Sequence, residues 1–133
     1  TLVCIGLIGI PILWINVDFG MNSQYQARKA FEKAFEARMT GDCETFSSYV
    51  VSEYKQKWLD RCIDEKNHAD NHYPIANYSI IKSSISNDKV YLLVELTRGS
   101  LTSNKFDAYV VNYEMLKTQE GVNVYWKLNQ ELD

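Results

Sequence analysis

Residues 74–97 read PIANYSIIKSSISNDKVYLLVELT, and across them the periodicity of the chain changes. Upstream, apolar side chains return every three or four residues; from here on they return every second one. Pro74 has no N–H to give a helix and closes the helical half of the chain. Ile75 to Ile85 is a β-rich run, and Ser86-Asn87-Asp88 is turn chemistry. Val90, Leu92, Val94 and Leu96 then alternate with Tyr91, Leu93, Glu95 and Thr97, which predicts a strand with one face on a core.

Working downstream, Gly99 to Asn104 reads as a loop. Phe106 to Leu116 reads as a long strand with Tyr109, Val111, Tyr113 and Met115 on one face. Gln119-Glu120-Gly121 turns the chain into a last strand, whose Val122, Val124, Trp126 and Leu128 are expected to face inward. Connections of hairpin length make the four strands an antiparallel meander.

Working upstream, Asn22 or Ser23 can cap a helix whose Ala27, Ala30, Phe31, Ala34 and Phe35 form the stripe of a helix buried on one side. Gly41 ends it, and Asp42 caps a short second helix carrying Phe46, Tyr49 and Val50. Ser52 and Glu53 open a third, with Tyr54, Trp58 and Cys62 in line and Leu59 and Ile63 beside them. The order is three helices and then four strands, an α+β domain with helices on one face of a curved sheet.

Before this domain, residues 2–17 read LVCIGLIGIPILWINV, with no charged side chain and only Asn16 polar. As a helix they span about 24 Å, and the stretch continued to Met21 approaches a hydrocarbon core of roughly 30 Å. Trp14 and Phe19 stand where interfacial aromatic anchors sit, and Gly6, Gly9 and Pro11 suit a transmembrane helix better than a soluble one. A cleaved secretory signal is the first alternative, but the basic start and small-residue cleavage site are not visible. A buried core segment is the second, but so small a domain has little to cover it with. The expected organisation is a transmembrane anchor over 1–21 followed by an α+β domain over 22–133.

Composition narrows the function. The 133 residues carry 14 Lys and Arg against 17 Asp and Glu, a formal net charge of −3, which excludes general electrostatic binding to nucleic acid. Three cysteines without a CxxC pair are too few for a disulfide scaffold and do not suggest zinc. His68 and His72 are spaced i, i+4 near Asp64, Glu65 and Asp70, but Asn67, Asn71 and Pro74 point to a solvated loop rather than a metal site. Glu95, Asp107 and Glu114 are the acids on strands; each alternates with apolar residues, which favours a solvated position. Glu95 is the one to test first if a pocket exists. No catalytic residue, cofactor or metal is assigned.

Among nine Tyr and three Trp, Tyr91, Tyr109, Tyr113 and Tyr125 are expected to pair across neighbouring strands. They form either a helix-covered core or, if exposed, an interface for a protein partner. Asn77-Tyr78-Ser79 fits a glycosylation sequon, a triplet frequent by chance. Cys4 is a small hydrophobe within the apolar stretch. Cys43 begins the second helix and Cys62 lies on the stripe of the third. They are either packing residues or, if the domain faces an oxidising compartment and their Cα atoms come within roughly 7 Å, a candidate disulfide; facing cytosol they stay reduced. An N-terminal anchor ahead of a compact domain favours the extracytoplasmic side.

The Ala27-x-x-Ala30-Phe31-x-x-Ala34-Phe35 helix, the Gly41-Asp42 break, the Phe46…Tyr49 short helix and the closing hairpins ending Tyr125-Trp126-Lys127-Leu128 together resemble the nuclear-transport-factor-2-like superfamily. The resemblance covers about residues 22–130. It implies a cone in which three helices wrap a bent sheet around a pocket; enzymes of that superfamily place an Asp–His or Tyr–Asp pair inside it. An anchor leading directly into such a domain also resembles the inner-membrane assembly component of type IV secretion and conjugation machines. The expected function is a membrane-anchored, non-catalytic accessory or assembly subunit, its partners being other subunits of a membrane complex and the bilayer through residues 2–21. A ligand-binding or lyase-type enzyme using the cone pocket is the alternative, as is the secretion component.

Overall fold

A computed structural model of the chain describes residues 22–68, 74–100 and 104–132. The apolar stretch 2–17, Cys4 and His72 lie outside the described residues. Among the described residues no helix is long and apolar enough to cross a membrane.

The first helix, α1, occupies residues 22–40. It is already helical at Asn22, so Asn22 and Ser23 lie within it rather than capping it. Its stripe is buried as the spacing predicts: Ala27, Phe31, Ala34 and Phe35 are fully enclosed. Gly41, with φ +81°, ends it in a left-handed turn that any side chain would strain. The Gly41 N–H donates to Arg38 O at 3.2 Å and the Asp42 N–H to Ala37 O at 2.9 Å, the two bonds of a Schellman motif. Asp42 then caps α2 (Cys43–Ser48), accepting from the Thr45 N–H at 3.2 Å and the Thr45 hydroxyl at 2.7 Å. A single 3₁₀ turn, Ser52–Tyr54, leads into α3 (Lys55–Asn67), which buries Trp58 and Cys62 and leaves Ile63 exposed.

The strands are β1 (Ile75–Ser86), β2 (Lys89–Ser100), β3 (Lys105–Glu120) and β4 (Asn123–Leu132), in spatial order β1-β2-β3-β4 and antiparallel throughout. Asn87 at φ 55° and Gly121 at φ 65° turn the first and last hairpins. The loop expected over Gly99–Asn104 is shorter than its reading, because Gly99 and Ser100 still pair with Phe106 and Lys105.

The helices cover one face, which carries Val90, Leu92, Val94 and Leu96 of β2, Tyr113 and Met115 of β3, and Trp126 and Leu128 of β4. Val122 and Val124 were expected inward and are exposed by 95% and 48%, since β4 begins beyond the helix layer. The register also divides the four tyrosines. Leu92 faces Tyr113 and Leu96 faces Tyr109, so those two share the helix-covered face. Tyr91 faces Glu114 and Tyr125 faces Thr118, so those two lie on the opposite face. They cannot form one cross-strand set, because alternate residues of a strand point to opposite sides.

Two backbone hydrogen bonds fasten the helices to the sheet edge. Leu128 N–H donates to Tyr49 O at 2.7 Å, and Val51 N–H donates to Leu128 O at 2.9 Å, forming a parallel bridge between Val50 and Leu128. The segment after α2 thereby covers part of the β4 edge, which would otherwise offer free donors and acceptors.

Candidate functional site

The space between helices and sheet is filled by rings. Phe31 stacks on Phe35 at 4.1 Å between centroids, and both contact Tyr78 and Tyr113 at 5.2 to 5.9 Å. Phe46 sits edge-on to Phe35 and to Trp58. The Trp58 indole N–H reaches the Asn129 carbonyl on β4 at 3.4 Å. Aromatic carbon thus occupies much of the space between the described helices and the sheet.

Into this cluster α1 projects a charge. Arg38 is 5% exposed, and its guanidinium lies 5.3 to 5.5 Å from the ring centres of Phe35, Phe46 and Trp58. Each ring face attracts a cation, which offsets part of the cost of burying it. The remaining compensation comes from Glu65 near the end of α3. Arg38 Nε donates to Glu65 Oε2 at 2.9 Å, and Arg38 Nη2 donates to Oε1, a two-point fork. Arg98 of β2 brings a second cation: its Nη2 donates to Glu65 Oε1 at 3.2 Å, and its Nε donates to the Tyr109 hydroxyl. Burial alone would raise the Glu65 carboxyl, but the hydrogen bonds and charges of Arg38 and Arg98 outweigh it and hold it below the usual carboxylate range. Burial pushes the Tyr113 phenol well above the ordinary tyrosine range. Arg38 Nη1 and the Tyr113 hydroxyl are buried with no hydrogen-bond partner among the described residues.

This arrangement is poor acid–base equipment. A general base works best with a pKa near the operating pH, and Glu65 is moved away from it while both its oxygens are occupied by arginine. Tyr113 stays protonated.

The other singled-out residues scatter. Glu95 and Asp107 are exposed on the sheet. Glu114 corrects the expectation of a solvated acid: it is 2% exposed, on the face away from the helices. There it accepts from Lys89 Nζ at 2.9 Å, Gln130 Nε2 at 2.9 Å and Asn129 Nδ2 at 3.3 Å, tying β3 to both neighbours. Burial raises its carboxyl and those three donors more than reverse the effect, leaving it lowered. His68 contacts Asp64 at the end of α3 and is half exposed. Among the described residues no group of three or more His, Cys, Asp or Glu side chains is placed to hold a metal ion. Cys43 and Cys62 are joined as a disulfide, with Cα atoms 5.7 Å apart, both buried, pinning α2 to α3.

Two surface features remain. The first half of β3 runs beyond the helix layer, with residues 105–110 all exposed; Phe106, Tyr109 and Val110 are 51%, 40% and 52% exposed. Phe106 lies across Gly99, where an added Cβ would meet its ring at 1.9 Å. At the opposite end, a cleft of about 640 Å³ opens between the first turns of α1 and the β3–β4 hairpin, with Tyr49 and Trp126 among its lining residues. Lys29, Lys33, Lys117 and Lys127 also line it, against Glu120 as the acid.

No protein-family model matches the chain, and no curated protein matches it. Solved structures similar in fold include two SEC-C motif-containing proteins. One is the solution structure of a SEC-C motif-containing protein from Rhodopseudomonas palustris, with TM-score 0.59 and 8% identity, covering 74% of this chain and 70% of that one. The other is the crystal structure of a SEC-C motif-containing protein from Psychrobacter arcticus, with TM-score 0.63 and 10% identity, covering 80% of this chain and 60% of that one. At such identity the likeness is one of fold: α+β with a four-stranded antiparallel sheet.

Proposed function

We propose that this chain is a membrane-anchored, non-catalytic accessory or assembly subunit of a membrane protein complex, its domain being a cone of the nuclear-transport-factor-2-like type. One observation carries the reading: the cone interior is solid with rings and an arginine-clamped carboxylate, while apolar side chains stand uncovered on the protruding half of β3. A cone used for catalysis needs an open interior and a tunable acid; a docking subunit needs neither. Phe106 and Val110 belong to the face away from the helices and supply the uncovered apolar surface that a partner would bury. The Cys43–Cys62 bond supports an oxidising, extracytoplasmic setting for the domain. The inner-membrane assembly component of type IV secretion machines is one narrower form of this reading, supported by the anchor-then-domain order alone.

The test is recovery of the full chain from native membranes in mild detergent, beside the doubly substituted Phe106→Asp/Val110→Asp chain. The expected result is a stoichiometric partner held by the wild type and lost by the variant at unchanged melting temperature. Equal recovery of that partner by both chains would refute docking through β3. A ligand-binding reading is favoured by a different observation, the lysine-lined cleft at the other end of the domain.

A further inference from the structure

The cleft beside the first turns of α1 combines three properties. It has about 640 Å³ of room, within the range of small-molecule sites. Its charged lining is Lys29, Lys33, Lys117 and Lys127 against Glu120. Val124 and Tyr125, both exposed, add apolar surface, giving a lining apolar in part and cationic in part. Lys127 lies 3.2 Å from Glu120, and Lys29 lies 3.6 Å from Glu32. Both acids are on the surface, where such pairs are worth little and exchange readily for a stronger anion. Four lysines drawn from α1, β3 and β4 line one opening in a chain whose overall charge is negative.

Position supplies the second half. Asn22 and Ser23 line this cleft. The apolar stretch ends at Val17, five residue steps earlier, and five steps span no more than about 18 Å even fully extended. If residues 2–17 lie in a bilayer, the cleft is held at headgroup depth. Lysines at that depth are attracted to anionic lipids.

We propose that the cleft is a binding site for a phosphate-type anion, and that the headgroup of an acidic phospholipid supplies it. The lysines take the phosphate as separate point charges, and the exposed Val124 and Tyr125 side chains lie against the acyl portion. The site orients the domain on the membrane, so that the β3 docking surface at the other end points away from the bilayer. The lipid source rests on the anchor reading above; the anion site does not.

The test measures acetylation of individual lysines by mass spectrometry, using the full chain in nanodiscs. One set of discs is phosphatidylcholine alone, and another is phosphatidylcholine and phosphatidylglycerol in equal amounts. A third arm adds inorganic phosphate to the phosphatidylcholine discs. The expected result is labelling of the four cleft lysines slowed on the order of fivefold in the anionic discs, with Lys55 and Lys57 of α3 unchanged. The Lys33→Gln/Lys117→Gln chain should lose that protection at Lys29 and Lys127 without a change in melting temperature. Equal labelling in both kinds of disc, with no effect of phosphate, would overturn the site. Protection by inorganic phosphate that anionic lipid does not reproduce would overturn the headgroup as its source. A chain that does not enter discs defeats the anchor and the lipid source together, and titration with phosphate in buffer then decides the anion site by itself.

Discussion

Arg38 shows how much one side chain organises. It stands at the 3.6-residue spacing of the buried stripe, seven positions after Phe31 and four after Ala34, so its helix sends it to the core. That spacing was the available signal, and the stripe was read only as far as Phe35 because a charged residue is not expected to continue it. Glu65, 27 residues away, has no local cue marking it as the partner. Glu114 departs from its sequence expectation for a related reason: alternation along one strand indicates which face a residue takes, but not that neighbouring strands supply donors to enclose it there.

Removing the cation has a definite cost at this scale. Arg38→Met leaves Glu65 with Arg98 alone, and breaking a buried pair costs about 3 kcal/mol, measurable by urea unfolding. The pH dependence follows from the lowered carboxyls of Glu65 and Glu114. A carboxyl lowered on folding stabilises the fold fully above its unfolded value, about 4.3 for Glu, and that stabilisation is lost as pH falls through the folded value. Urea midpoints should therefore hold steady down to about pH 5 and decline below about pH 4. The decline should be shallower in Arg38→Met, whose Glu65 is less depressed. An equal decline in both chains would mean that the Arg38–Glu65 fork does not set the acid limb.

Among the elements, those with complete local instructions were legible. The α1 stripe, the Gly41 turn, the Asp42 cap and the four-strand meander each follow from residues adjacent in sequence. What was not legible is where one element outruns another. Val122 and Val124 alternate properly but belong to a hairpin that stands across an open cleft from α1, and the division of the four tyrosines depends on the β2–β3 and β3–β4 registers. The short α2 is held from outside itself, by the Val50–Leu128 bridge on one side and the Cys43–Cys62 bond on the other. That bond closes a sequence separation of 19 residues, and on the chain-entropy model such a loop contributes about 3 kcal/mol. Cys43→Ser/Cys62→Ser should lower the unfolding free energy by about that amount. Reductant should lower the wild type toward the double variant and leave the variant itself unmoved. A wild type insensitive to reductant and matching the variant would show that the bond does not form in solution.

For the whole molecule, fold class was readable from the switch of period at Pro74, while function was not, because no residue cluster declares a chemistry. The account has the chain working by position. On the reading proposed above, an apolar stretch would hold the domain at a bilayer, a lysine-lined cleft would face it, and the uncovered half of β3 would be turned outward to a partner. All of this depends on residues 2–17 residing in the membrane. Alkaline carbonate extraction of membranes carrying the full chain tests that most directly. The account predicts that the chain stays with the membrane pellet, and that replacing Ile8 and Ile12 by Lys releases it into the supernatant. Recovery of the unmodified chain in the supernatant would contradict it.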